Sequence, residues 1–139
     1  MAMMLSELVL HGRDLAMVTG AAKPELTRQQ TNAIIDAISV TTPQFVDPTK
    51  ARALPDGVYH LHFRGGRDFT WRLQDGSLSI TRGEPSRPDA RLNADPVTFL
   101  MSSLGRISDL RAGITGGIVS YGRKPWRFLA LGNIVADGF

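Results

Sequence analysis

The chain has 139 residues, 42% of them hydrophobic by type, with a formal charge of +3 and no cysteine. That length suits one domain, or one compact module with an appendage, and the composition permits a hydrophobic core. The lack of cysteine excludes a disulfide framework, a thiolate metal site and a cysteine nucleophile together.

No apolar run approaches the ~18 residues that a membrane span requires. The Met-rich start has no basic n-region and runs into Glu7, His11 and Arg13, so no secretory leader is expected and the cytoplasm is the expected location. Residues 1–54 carry five basic and five acidic side chains, whereas residues 55–139 carry eleven basic against eight acidic and hold the whole surplus. Thirteen of the sixteen cations are Arg, dispersed along the chain rather than clustered, so nucleic acid is not an expected partner.

Leu5 to Val18 has the spacing of an amphipathic helix, with Leu5, Leu8, Val9, Leu15 and Ala16 on one side and Gly20 as a stop. Glu7, His11 and Asp14 share its polar side. A second helix follows Pro24. Thr27 with Gln30 forms a capping box, and Ala33, Ile34, Ala37 and Ile38 make the apolar stripe. Residues 41–55, with Pro43, Pro48 and Pro55, are expected to be a linker.

From Gly57 the period becomes two. Tyr59, Leu61 and Phe63 alternate with His60, His62 and Arg64, which is the pattern of a half-buried strand. Gly65-Gly66 turns the chain into a second strand with Phe69, Trp71 and Leu73 inward and Thr70 and Arg72 outward. Asp75-Gly76 turns it again into a third, carrying Leu78 and Ile80. A fourth strand spans Asp89 to Asn93. Asp95 is then the N-cap of a helix with Pro96 at its first position and Val97, Leu100, Met101 and Leu104 on its apolar side. A short helix from Ser108 to Gly113, a strand from Gly116 to Tyr121 and a helix opened by Pro125 complete the pattern. The expected fold class is α+β: a five-stranded, mostly antiparallel sheet with helices packed on one face, preceded by two helices.

On these residues the C-terminal ~85 positions resemble the bacterial form of the sterol-carrier-type lipid-transfer fold. The match rests on D-x-x-L-x-A-D-P-x-x-F-L at Asp89 to Leu100, G-R-I-S-D-L-R-A-G at Gly105 to Gly113, and the I-V-S-Y-G strand. The first 40 residues resemble another family. L-S-E-L-V-L-H-G-R-D at Leu5 to Asp14 is similar to the last helix of the metal-binding bundle in mycothiol-dependent maleylpyruvate isomerases, where a Glu-x-x-x-His pair binds a divalent metal. Glu7 and His11 match that pair. The whole chain thus resembles the C-terminal part of an actinobacterial two-domain protein: residues 1–40 a helical hairpin, 41–55 a linker and 56–139 the carrier-like domain.

Three sets of residues follow as candidates. Phe69, Trp71, Phe99, Leu100, Leu104, Ile118, Trp126 and Phe128 would line a lipid cavity in the carrier-like fold, and would equally make an ordinary core. His60, His62, Arg64, Arg72 and Arg91 would share the outer sheet face, either to receive an anion or an acidic partner, or as a solvated surface. Glu7 and His11 would hold zinc only if a partner supplied further ligands, since such a site needs at least three; otherwise they form a polar helix face with an i,i+4 pair. No cofactor is expected in this chain alone, and no nucleophile with its base is present.

The expected function is a non-enzymatic carrier of an apolar or acyl ligand. The alternatives are an accessory domain of a metal-dependent, mycothiol-linked isomerase or transferase, or a degenerate relative without activity. The N-terminal helices would meet a second copy or a bundle-containing partner.

Overall fold

The computed structural model describes residues 27–103 and 113–135. The chain divides into two compact units, the first ending at Val40 and the second beginning at Thr41. The helix from Leu5, the pair Glu7 and His11, Leu104 and the helix expected near Ser108 lie outside the described residues. Among the described residues, no helix is long and apolar enough to cross a membrane.

In the first unit, helix α1 (Arg28–Thr41) starts at the expected capping box. The Thr27 hydroxyl accepts from Gln30 N–H at 3.2 Å, and Gln30 Oε1 accepts from Thr27 N–H at 3.0 Å. Its buried stripe is Thr31, Ile34, Ile35 and Ser39, turned slightly from the expected one: Ala33 is exposed. Two hydroxyls make this possible. Thr31 donates to Thr27 O and Ser39 to Ile35 O, so both bury on the helix's own carbonyls.

The second unit is built on one five-stranded sheet in the order β3-β2-β1-β4-β5. The strands are β1 (Gly57–Phe63), β2 (Arg67–Gln74), β3 (Ser77–Arg82), β4 (Ala90–Ala94) and β5 (Ile118–Gly122). Both hairpin turns form where Gly was expected to make them. Asp75 and Gly76 have φ of 51° and 76°, the paired positive values of a two-residue hairpin turn. All pairings are antiparallel except β1 with β4, which run parallel.

The parallel pair dictates the connection. After β3 the chain must cross the β2–β1 pair to reach β4, so Gly83 to Asp89 runs over one face of the sheet. Thr70 Oγ1 donates to Gly83 O at 2.7 Å, Gly83 N–H donates to Asp68 O at 2.9 Å, and Asp89 N–H donates to Val58 O at 2.7 Å.

The stretch 41–55 holds a 3₁₀ turn (Thr42–Phe45) and a short helix, α2 (Pro48–Arg52), N-capped by Asp47, whose Oδ1 accepts from the N–H groups of Thr49 and Lys50. Asp47 N–H donates to Ile134 O, and Val46 bridges Val135, which ties this stretch to the end of the described chain.

The other face of the sheet is apolar. Tyr59, Leu61, Phe63, Phe69, Leu73, Ala90, Leu92 and Ala94 are all buried there. Helix α3 (Pro96–Ser103) lies against it through Phe99, whose ring meets Phe63 edge-on with centroids 5.0 Å apart. Helix α4 (Arg127–Gly132) lies against it through Phe128, which meets Tyr59 edge-on at 5.4 Å. Each such pair adds about 0.5–1.5 kcal/mol beyond its buried area. The expected cap of α3 is in place: Asp95 Oδ2 accepts from both Thr98 N–H and its hydroxyl, each at 2.8 Å.

Candidate functional site

The helix-covered face gathers most of the expected apolar set. Phe69 is 3% exposed, Leu100 is fully buried, and Trp71, Phe99, Ile118 and Phe128 are half-buried. Cross-strand register places Trp71 between Tyr59 of β1 and Ile80 of β3, on the same side as Phe69 and Leu73. Trp126 does not join them. Its indole is 64% exposed, because the turn before α4 directs Phe128, not Trp126, toward Tyr59.

One polar atom stands out on this side. Trp71 Nε1 is buried and, among the described residues, has no hydrogen-bond partner. A buried donor left unmatched costs about 1–3 kcal/mol, so it marks a place where an acceptor would be favoured. Strand alternation turns Trp71 inward with Phe69 and Leu73, and the β1–β2 register sets Tyr59 beside it.

The opposite face differs from the solvated cationic surface expected there. His60 is only 4% exposed, because the crossing segment after Gly83 runs over it. Its Nε2 donates to Asp68 Oδ1 at 2.7 Å, and His62 Nδ1 donates to the same oxygen at 2.9 Å. Arg91 Nη1 reaches His60 Nδ1 at 3.0 Å. Guanidinium has only donors, so Nδ1 is the acceptor and the His60 proton stays on Nε2. Arg91 also pairs with Glu84 at 2.6 Å.

These contacts set the charges. Burial pushes the Asp68 carboxyl up, but the hydrogen bonds from His62 and His60 outweigh it and hold its pKa below the usual value. The Arg91 hydrogen bond holds Glu84 low as well, and Glu84 in turn raises Arg91. The face therefore matches its two carboxylates to its own donors, Asp68 to the two histidines and Glu84 to Arg91. Arg72 stays exposed on it, while Arg64 reaches away and donates to the carbonyls of Gly116 and Gly117, each at 2.7 Å.

His60, His62 and Asp68 are engaged with one another. Among the described residues, no group of three or more His, Asp or Glu is arranged to hold a metal ion. Asp68 and Glu84 are absent from the residues singled out by sequence. Counting back through the Gly65-Gly66 turn places Asp68 opposite His62, so one was within reach; Glu84 sits on the crossing segment, for which no local pattern exists.

No protein-family model matches the chain, and no curated protein matches it in sequence. Solved structures do match. The sterol carrier protein 2-like 2 of Aedes aegypti superposes over 78% of this chain and 98% of its own, with a TM-score of 0.57 and 20% identity. The fold is sterol-carrier-like. A ubiquinone synthesis protein, UbiJ-SCP2, matches this carrier-like fold over 80% of the chain and 96% of its own, with a TM-score of 0.56 and 14% identity. The inverting sec-alkylsulfatase Pisa1 of Pseudomonas sp. matches over 82% of the chain at a TM-score of 0.59 and 18% identity, yet the chain spans only 17% of that enzyme's length. At these identities the likeness is one of fold.

Proposed function

We propose that the carrier-like domain is a non-enzymatic binder of an amphiphile, with an apolar chain held between the sheet and helices α3 and α4. The observation that carries this reading is the buried Trp71 N–H on the apolar sheet face, flanked by Tyr59 and Ile80 across the strands and by Phe69 and Leu73 along its own. A ligand with a carboxylate, carbonyl or hydroxyl oxygen at one end supplies the acceptor that this donor lacks, and its hydrocarbon part takes the apolar surroundings. The palmitated form of the Aedes aegypti protein, similar at a TM-score of 0.57 and 19% identity, supports an acyl chain as the ligand class.

Native mass spectrometry of the purified chain, with titration of a fluorescent fatty acid, tests it. Co-purifying lipid or saturable uptake is the expected result. A bare mass together with no uptake overturns it.

A second reading rests on the Glu7-x-x-x-His11 spacing: a domain accessory to a metal-dependent bundle. Elemental analysis for zinc, together with a pull-down for a partner, separates it from the first.

A further inference from the structure

We propose that the exposed side of the turn into α4 docks the domain on an anionic lipid surface. Trp126 is 64% and Leu129 67% exposed, and their spacing of three places them together on one side of the helix. The opposite side, with Phe128 against Tyr59 and Leu131 buried, belongs to the core. Arg123 and Lys124 lie immediately before this apolar pair. Among the described residues, no ion pair engages either side chain. Arg127 is turned inward, with Nη1 on the Asp56 carbonyl at 3.2 Å and near Asp89. From Tyr121 to Val135 there is no Asp or Glu. The backbone that presents the four side chains is held by Ser120 Oγ donating to Pro125 O and Lys124 N–H donating to Asp89 O, both at 2.9 Å.

The chemistry favours a bilayer over other occupants. Indole prefers the headgroup level, where its ring is buried and its N–H stays wet, while Leu enters the acyl boundary and the cations meet lipid phosphates. A protein interface needs roughly 1,000 Å² with a pocketed centre, which a protruding pair of side chains does not offer, whereas a bilayer requires no matching shape. A second copy would bring Arg123 and Lys124 of both molecules together.

This goes beyond the ligand reading and does not need it, since the four residues lie outside the apolar layer. The test is flotation of the full chain with vesicles of phosphatidylcholine, alone and mixed with phosphatidylglycerol. Emission of Trp126, isolated by Trp71→Phe, is followed with brominated lipid as quencher. Binding to the anionic vesicles, with a blue shift and quenching of Trp126, is expected. Arg123→Gln and Lys124→Gln each lower the partition about fivefold at low salt. Trp126→Ser with Leu129→Ser abolishes binding without changing fatty-acid affinity, and added salt weakens it. Failure to float with anionic vesicles, or flotation unaffected by both pairs of substitutions, overturns the proposal. So does a Trp126 shift that follows protein concentration without lipid. Should a variant not fold, the quenching measurement still decides.

Discussion

Asp89 grips Val58 twice. Its N–H donates to the Val58 carbonyl at 2.7 Å, and its Oδ2 accepts from the Val58 N–H at 3.0 Å. This exchange sits just before the parallel β1–β4 register begins at Tyr59 opposite Ala90, so one residue ends the crossing segment and sets the pairing. Asp89→Ala leaves the part-buried Val58 N–H without its acceptor and should cost about 1–3 kcal/mol. Asp89→Asn keeps an acceptor there and should recover most of that. Urea unfolding of the three proteins checks it; equal midpoints for Asp89→Ala and the native chain would rule out this role.

Asp68 gives the fold a defined acid sensitivity. Its pKa is lowered in the folded state, so its contribution is complete above the ordinary carboxylate range and is lost as pH falls through the lower folded value. Asp68→Ala strands the Nε2–H of His60 and the Nδ1–H of His62. At neutral pH this should cost about 1–3 kcal/mol, toward the lower end because the carboxylate is itself partly exposed. Thermal melts across pH should show the gap between native and variant proteins closing below about pH 4. A gap that stays constant into acid would refute the assignment.

Trp71 separates stability from binding. Trp71→Phe removes the unmatched donor but keeps an aromatic ring, so the unliganded protein should lose little, within about 1.5 kcal/mol. Affinity for a fluorescent fatty acid should fall by about five- to tenfold, the worth of one hydrogen bond. Fatty alcohol and fatty acid should both feel the change, whereas a plain alkane should not. Equal losses for all three would assign Trp71 to packing alone.

Gly117 is required by its neighbour. A Cβ there would run into the Cγ2 and Oγ1 of Thr98, the residue that Asp95 uses to cap α3. Gly117→Ala should destabilise by about 1–3 kcal/mol through overpacking. Thr98→Ala removes both offending atoms, so the double variant should be more stable than the sum of the singles predicts. Strict additivity would show that the loop moves aside instead.

Much of this chain is settled by local chemistry. The alternation from Tyr59 to Phe63, the Asp75-Gly76 turn, the Thr27–Gln30 box and the Asp95-Pro96 helix start all act within a few residues, and each forms where the residue types dictate. Exposure on the opposite sheet face was not local. His60 has the position of a solvated residue, but the parallel β1–β4 pairing sends Gly83 to Asp89 across it, and no period in the sequence encodes a crossing chain. The same cause brings Glu84 to Arg91, while hairpin register brings Asp68 to both histidines. Trp126 and Phe128 show the contrast at its smallest. Both are aromatic and two positions apart, a spacing that puts them on nearly opposite sides of a helix. Only the docking of α4 against Tyr59 decided which ring enters the core and which is left to the solvent.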